Sequence, residues 1–197
     1  DNESAVMVGS TMSLAAISED GFKDTITGAH DMYITKFNPL GERVWGTYYG
    51  GMGLDFAFSV AISSDKSIYV AGYTSSTSGI AFEGHKDSLS GEFIPTDAVL
   101  IKFSETGDRI WGTYYGGENP DYGLDVEVSD DGEFVFLGGD TFSTELIATD
   151  GVHQTSNEGG RDAFVAKFQN DGDLEWGTYY GGINNESSGG IGLDSEG

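Results

Sequence analysis

One block of seven residues constrains the fold of this chain more than any other feature of its 197 residues. Trp-Gly-Thr-Tyr-Tyr-Gly-Gly occurs three times without a change, beginning at Trp45, Trp111 and Trp176, so the copies stand 66 and 65 residues apart. Such a period is typical of repeat proteins, in which each copy builds one unit that buries its apolar face against its neighbours. The chain is therefore predicted to be a row of three like units.

A strand and a turn precede each block. The runs DMYITKF, DAVLIKF and DAFVAKF begin at Asp31, Asp97 and Asp162. Their side chains alternate with the period of two that a β-strand requires. A four-residue turn containing glycine then leads from each run to its Trp block. Each unit thus contains a β-hairpin whose second strand carries the block.

A second hairpin lies ahead of the first. Phe58, Val60 and Ile62 alternate up to a turn at residues 64–65, and a strand at 68–72 leads back. Four short antiparallel strands per repeat are typical of the blade of a β-propeller. We therefore predict an all-β fold, a β-propeller built of four-stranded antiparallel blades, with a longer polar loop between the second and third strand of each blade.

The repeat units cover approximately 1–63, 64–130 and 131–197, and the blades are circularly offset from them. With the blades offset in this way, the sequence opens in the turn before the second strand of a blade. Residues 191–194 are predicted to form the first strand of another blade. Propellers usually have four to eight blades. We therefore expect the ring to be completed by further sequence or by another chain, which leaves self-association open.

The charge of the chain excludes two classes of partner. Against 33 acidic residues stand 9 Lys and Arg, a formal net charge of -24, which repels phosphate backbones and anionic lipid headgroups. Nucleic acid is therefore not expected as a partner. No run approaches the roughly 20 apolar residues of a membrane span, so membrane insertion is not expected either.

Two sets of carboxylates recur in register. The first opens the third strands (Asp31, Asp97 and Asp162), and the second lies four residues past each Gly-Gly (Asp55, Asp121 and Glu186). Carboxylate and carbonyl oxygens are the ligands that calcium prefers, so calcium is a possible ion at Asp55, Asp121 and Glu186. The favoured interpretation is that these side chains cap turns and strand ends by accepting backbone N–H bonds.

The aromatic residues of the block also allow two interpretations. The tryptophans and the first tyrosines (Tyr48, Tyr114 and Tyr179) offer surfaces on which sugars stack. A residue that recurs unchanged in every repeat more often solves a packing problem that every blade shares, so we assign these residues a structural role. No Gly-x-Ser-x-Gly elbow and no phosphate-binding glycine loop is present, and we predict no enzymatic activity and no bound cofactor.

These motifs together resemble the SBBP-type repeats of bacterial β-propellers. The match is carried by Thr-Phe-Ser at 141–143, Gly159-Gly160, Asp-Ala-Phe-Val-Ala-Lys-Phe at 162–168 and the Trp block at 176–182. The resemblance implies a secreted or cell-surface bacterial protein, often part of the large multidomain proteins that Bacteroidota export by type IX secretion. It implies no established catalytic site.

The long loops carry the remaining candidates. Asp24-Thr25-Ile26 and Asp87-Ser88-Leu89 resemble the O-glycosylation acceptor motif of Bacteroidota, with Thr25 and Ser88 as the acceptors. We expect a non-catalytic extracellular module that contacts proteins or glycans through its rim loops, in adhesion or surface assembly. The alternative is a polysaccharide hydrolase or lyase that uses a pair of carboxylates in the propeller funnel.

Overall fold

The computed structural model describes residues 3–91 and 95–194, and within them every regular element is a β-strand. The prediction of one propeller region over 1–197 thus includes residues 1–2, 92–94 and 195–197, which lie outside the described residues. The strands, in chain order, are β1 Ala5–Thr11, β2 Asp31–Phe37, β3 Arg43–Tyr49, β4 Asp55–Ile62, β5 Ile68–Thr74, β6 Asp97–Phe103, β7 Arg109–Tyr115, β8 Asp121–Val128, β9 Phe134–Thr141, β10 Asp162–Gln169 and β11 Leu174–Tyr180.

The strands form three antiparallel sheets in which neighbours in sequence are neighbours in space. The first sheet is β1-β2-β3, the middle sheet β4 to β7 and the third sheet β8 to β11. The predicted all-β class and its four-stranded antiparallel blades are confirmed, and the described residues leave the ring open. The sheets cover 5–49, 55–115 and 121–180, so the first strand of each four-stranded sheet falls at the end of a preceding repeat unit.

The three sheets share one register. Asp31, Asp97 and Asp162 stand opposite Thr11, Thr74 and Thr141 in their second strands. A shift in register also recurs between the Lys and Phe of each third strand, at Lys36/Phe37, Lys102/Phe103 and Lys167/Phe168. The sequence repeat therefore builds the same small sheet each time, down to the position of its irregularity.

The sheets pack face to face. Strand β6 shows this most clearly, because all seven of its residues are buried. Val99, Ile101 and Phe103 join a core with Met32 and Ile34 of the first sheet. Ala98 and Leu100 join a second core with Phe164 and Ala166 of the third sheet. A strand buried on both faces is apolar throughout, as expected for an inner blade of a propeller.

Two expectations for the first strands were wrong in detail. The predicted alternation of Phe58, Val60 and Ile62 is interrupted by a register shift between Ala57 and Ser59. The extra residue turns the strand, as a β-bulge does, and Phe58 is 52% exposed. Residues 191–194 form no strand, because within the described residues no second strand pairs with them.

Candidate functional site

The carboxylates predicted as metal ligands lie in the junctions between sheets. Asp55 is fully buried and accepts hydrogen bonds from the Gly51 amide (2.9 Å), the Ser76 hydroxyl (2.9 Å) and the Thr74 hydroxyl. It therefore connects the Gly-Gly segment that follows one sheet to the second strand of the next sheet.

Asp121 repeats this arrangement. It accepts hydrogen bonds from the Gly117 amide (2.7 Å), the Ser143 hydroxyl (2.9 Å) and the Thr141 hydroxyl. Glu186 accepts the corresponding bond from the Gly182 amide at 2.8 Å. A charged acceptor held by several donors is the pattern of a structural cap.

The other set of carboxylates lies beside the first. Asp31 binds the Lys23 ammonium at 2.7 Å, and Asp97 binds Lys86 at the same distance. In the third sheet Gln154 takes the place of the lysine and donates to Asp162 at 3.2 Å. The cation is thus supplied from the long loop, which it fastens to the start of the third strand.

Burial raises the pKa of three of these carboxyl groups, Asp55, Asp97 and Asp121. Desolvation raises the pKa of Asp55 and of Asp97 above the ordinary range, although hydrogen bonds to Asp55 and the charge of Lys86 beside Asp97 oppose the effect. In Asp121 desolvation raises the pKa to about 7, against the hydrogen bonds of Thr141, Gly117 and Ser143. Burial has the larger effect because it disfavours the charged form of a carboxyl group.

No group of three His, Asp or Glu side chains that could hold a metal ion occurs within residues 3–91 and 95–194. Asp55 and Asp121 lie in the two junctions between sheets and Glu186 follows the third sheet, so the three carboxylates do not converge. Their oxygens accept the hydrogen bonds of their own junctions, which agrees with the capping interpretation. Calcium at these residues stays a prediction without a shared coordination site.

The tryptophans fasten each sheet to the next one. Trp45 is 3% and Trp111 2% exposed. The Trp45 indole N–H donates to the main-chain oxygen of Glu105 at 3.0 Å, and that of Trp111 to Asn170 at 2.9 Å. Trp176 is half-buried. The arrangement of the first two copies agrees with the packing interpretation.

The first tyrosines of the block fasten the long loops of their own sheets. Tyr48 donates to the main-chain oxygen of Ser13 at 2.9 Å, and Tyr114 to that of Ser76 at 2.7 Å. The Tyr179 hydroxyl is buried and has no hydrogen-bond partner among the described residues. In the first two sheets, therefore, Tyr48 and Tyr114 position the loops from within.

A strip of partly exposed aromatic rings was missed by the sequence analysis. Phe56 stacks between His30 and Tyr73, with ring centroids 5.1 and 5.0 Å away. The edge of Tyr122 meets Tyr73 at 5.0 Å. The aromatic strip consists of His30, Phe56, Phe58, Tyr73, Tyr122 and Phe142. The signal in the sequence is the aromatic residue that directly follows the junction aspartate in both Asp55-Phe56 and Asp121-Tyr122.

A second surface lies at one end of the sheets. In an antiparallel meander the loop between the second and third strand and the connection to the next sheet emerge at the same end. Exposed apolar side chains gather on these segments, which we call the loop rim: Met12 67%, Leu14 80%, Met52 77%, Leu54 44%, Leu146 69% and Ile183 85%. Thr25 and Ser88 are exposed in the same loops. Protein-binding surfaces often expose apolar side chains in such groups.

A cleft lies beside the loop rim. Its volume is about 380 Å³. The Arg109 guanidinium, which lines this cleft, lies 4.8 Å from the ring centroid of Phe22 and 4.4 Å from that of Phe82. The cleft is lined by Phe22, Lys23, Thr27, Gly50, Gly51, Met52, Ser78, Gly79 and Arg109.

Three antiparallel meanders that pack face to face and repeat the same junction contacts define a β-propeller-like repeat protein. The described residues contain no helix of the length and apolarity needed to cross a membrane. The buried carboxylates of the junctions face hydrogen-bond donors of the chain itself, and the exposed apolar groups lie on loops and edge strands. This distribution is that of a scaffold with binding surfaces.

Comparison with known proteins agrees with this class. No family model matches the sequence. The chain is similar to an uncharacterized WD repeat-containing protein of Acanthamoeba polyphaga mimivirus, with 25% identity over 150 residues, or 73% of this chain and 11% of the viral protein. It is also similar to the regulatory protein FlaEY of Caulobacter vibrioides, with 29% identity over 173 residues, or 83% of this chain and 17% of that protein. The chain thus spans less than a fifth of either relative.

Proposed function

We propose that this chain is a non-catalytic interaction module that binds a protein partner through its loop rim. The observation that carries the proposal is the set of exposed apolar side chains on the rim, from Met12 and Leu14 to Ile183. Similarity to a WD repeat-containing protein supports a scaffold that presents loops. Binding energy at such surfaces comes from a few well-packed anchors.

The charge of the chain indicates the chemistry of the partner. The rim loops carry exposed carboxylates such as Asp24, Asp87 and Glu118. Lys23 and Lys86 do not offset them at the rim, because both lysines pair with buried aspartates. A partner segment that combines apolar side chains with Lys or Arg therefore complements the rim, and its association slows as salt screens the charges.

The place of action is proposed from the resemblance of the repeats. SBBP-type repeats imply secretion or display at a bacterial surface, in adhesion or surface assembly, and the strong acidic charge is compatible with a salty medium. Thr25 and Ser88 are proposed as O-glycosylation sites, because both side chains are exposed in their loops.

A glycan is the second candidate ligand, and the aromatic strip favours it. Sugar rings pack on exposed aromatic faces, and the strip combines a 52% exposed Phe58 with the ring of Tyr73 at 5.6 Å. A polysaccharide hydrolase or lyase gains less support. The paired carboxylates of the junctions, Asp31 with Asp55 and Asp97 with Asp121, are all fully buried.

One set of variants tests both candidates. Leu14→Ser together with Met52→Ser removes apolar anchors of the rim, Phe58→Ser alters the strip, and Ile110→Ser is the control, because Ile110 is 39% exposed on β7. The variants are compared on a peptide array of cationic, apolar sequences and on a glycan array. Loss of peptide binding in the rim variant alone supports the proposal, and glycan binding lost in Phe58→Ser alone supports the second candidate. Equal peptide binding by the rim variant and the control would contradict the first.

A further inference from the structure

Each junction between two sheets has a donor side and an acceptor side. On the donor side are the Trp indole N–H and the hydroxyl of the second Tyr of the block. Tyr49 donates to the main-chain oxygen of Ile80, and Tyr115 to that of Ile147 at 2.5 Å. On the acceptor side, the turn of the next sheet places a glycine against the Trp ring. A Cβ atom added to Gly107 would lie 2.8 Å from Trp45, and one added to Gly172 would lie 3.1 Å from Trp111.

The third sheet carries the donor side without an acceptor in the described part of the chain. Tyr180 is 65% exposed, whereas Tyr49 and Tyr115 at the same position are 0% and 1% exposed. Lys167 differs in the same way. Lys102 donates to the turn oxygen of Asn170 at 3.0 Å, but the Lys167 ammonium lies over the Phe134 ring, 3.4 Å from its centroid.

The first sheet carries the acceptor side without a Trp or Tyr donor from another described sheet, and the Ile17 oxygen accepts the Arg43 guanidinium of its own sheet at 3.2 Å. Its turn at 38–42 matches the turns at 104–108 and 169–173. Gly107 and Gly172 each lie against a Trp ring, but nothing described lies within 4 Å of a Cβ atom added to Gly41. Ile17 stands at the position of Ile80 and Ile147, since Glu19 pairs with Gly46 as Phe82 pairs with Gly112.

A cavity marks the open acceptor side. Its volume is about 620 Å³, and it lies on the face of β2 that corresponds to the face of β6 packed on the first sheet. It is lined by Met7, Ala16, Ile17, Glu19, Tyr33, Thr35, Phe37 and Arg43. Its walls include the loop of Ile17 and strand β2. In the middle sheet the equivalent residues pack against the preceding sheet.

The third and first sheets also each leave one strand position without its neighbour. Residues 186–193 follow the third sheet as β8 follows the middle sheet. Ile191 packs on Gly138 of β9, and Ser187 and the Ser188 amide bond to Asp140 at 2.9 and 2.6 Å. This segment therefore already lies at the place of a first strand, without a second strand beside it. In the first sheet, conversely, β1 is a second strand whose outer edge has no described neighbour.

The junction carboxylates show the same pattern, in which a group of the third sheet lacks the partner that its equivalents have. Asp55 and Asp121 each accept two hydroxyl groups of the next sheet, from Thr74 with Ser76 and from Thr141 with Ser143. Within the described residues Glu186 accepts the Gly182 amide and no hydroxyl group of another sheet. Thr11 and Ser13 are the equivalents of the missing hydroxyl pair, because Ser13 donates its amide to Thr11 as Ser76 does to Thr74.

We infer that two copies of this chain dock head to tail, with the third sheet of each copy packed on the first sheet of the other. Trp176 and Tyr180 of one copy enter the cavity beside Ile17 and the turn of Gly41 in its partner. Residues 186–193 pair with β1 of the partner, Glu186 opposite Thr11 and Ile191 opposite Met7, as Asp55 and Val60 pair with Thr74 and Val70. Two copies supply six sheets, within the four to eight of a closed propeller, and the contact is a heterologous one that closes.

The first test is the mass in solution. Light scattering on the 197-residue chain should give twice the chain mass of 20.9 kDa. Tyr180→Ala and Trp176→Ala should each raise the dissociation constant of the dimer at least about 10-fold, since buried Tyr and Trp dominate such contacts. Ile110→Ser, outside the contact, should leave the constant unchanged. Monomers at every concentration, or open assemblies larger than two, would overturn the inference.

The second test locates the contact. The chain has no cysteine, so Met7→Cys with Ile191→Cys introduces one pair at the predicted register, and Met7→Cys with Ser187→Cys is the mismatched control. Oxidation should link two copies in the first variant and far fewer in the control. A bond within one copy, or equal linkage in both variants, would contradict the register. Met52, Leu54 and Leu146 of the loop rim belong to the junctions within one copy and lie outside the contact, so failure of the inference leaves their part in the proposed function standing.

Discussion

The indole N–H of Trp111 donates a 2.9 Å hydrogen bond to the main-chain oxygen of Asn170, across the boundary between the middle and third sheets. Trp45 makes the same bond to Glu105 one sheet earlier. The bond joins the outer strand of one sheet to the turn of the next, so the repeated block acts between units. This explains why the block recurs unchanged where the loops around it differ.

Replacing Trp111 by Phe should therefore destabilise the fold. The variant removes the indole donor, so that the Asn170 oxygen keeps the Lys102 ammonium at 3.0 Å, and it opens space beside Gly172. The expected loss is about 1–3 kcal/mol in the free energy of unfolding. Urea denaturation followed by tyrosine fluorescence or circular dichroism measures the loss. Val44→Ala, at a position 47% exposed on β3, should cost less than about 0.5 kcal/mol. A similar loss in both variants would refute the role of the indole.

Much of this arrangement follows from the sequence, because alternation and the period of the block are local signals. The strands that open at Asp31, Asp97 and Asp162 and the packing of Trp45 and Trp111 were predictable in this way. The bulge at Ala57/Ser59 was not, since a single unpaired residue leaves no compositional trace and yet exposes Phe58. The aromatic strip was missed although Phe56 and Tyr122 each follow a junction aspartate, because its rings come from separate strands and meet only in the folded sheets.

The lysines of the junctions show a second limit of sequence reasoning. Lys23 lies 8 residues before Asp31, whereas Lys86 lies 11 residues before Asp97. The loops differ in length, so the two lysines do not align, although they reach the same place in space. Gln154 fills this place in the third sheet. Positions fixed by folding of a loop back onto its sheet are visible only in three dimensions.

The lysine junction gives a graded prediction. Lys86→Met leaves the Asp97 carboxylate buried without its cation, and breaking such a pair typically costs about 3–5 kcal/mol. Lys86→Gln should cost clearly less, because Gln154 already satisfies Asp162 in the third sheet. Thermal unfolding of the two variants provides the comparison. A glutamine variant as unstable as the methionine variant would show that the equivalence is only apparent.

Asp121 predicts how stability depends on pH. Burial raises its pKa from 3.8 to about 7, so the folded protein holds a proton that the unfolded chain releases. This contribution is fully present below pH 3.8 and is lost as the pH rises through about 7. The linked free energy is on the order of 4 kcal/mol. Stability should therefore increase on acidification from pH 8 to pH 5, a range that spans the folded pKa of about 7 and stays above the unfolded value of 3.8.

The variant Asp121→Asn isolates this contribution. It cannot titrate, so its melting temperature should change less steeply with pH over the same range than that of the parent chain. Asp150→Asn, at an exposed loop position, is the matched control and should keep the parent slope. Identical slopes in the parent and Asp121→Asn would assign the pH dependence to other groups, including the general relief of the negative charge.

Hydrogen exchange of the three tryptophan indole N–H groups, followed by NMR over a range of protein concentrations, tests the account most directly. The indoles of Trp45 and Trp111 should exchange slowly at every concentration, because each donates to the next sheet of its own copy. The Trp176 indole should exchange rapidly in dilute solution and become protected as two copies associate. Equal exchange of all three indoles at every concentration would contradict the account.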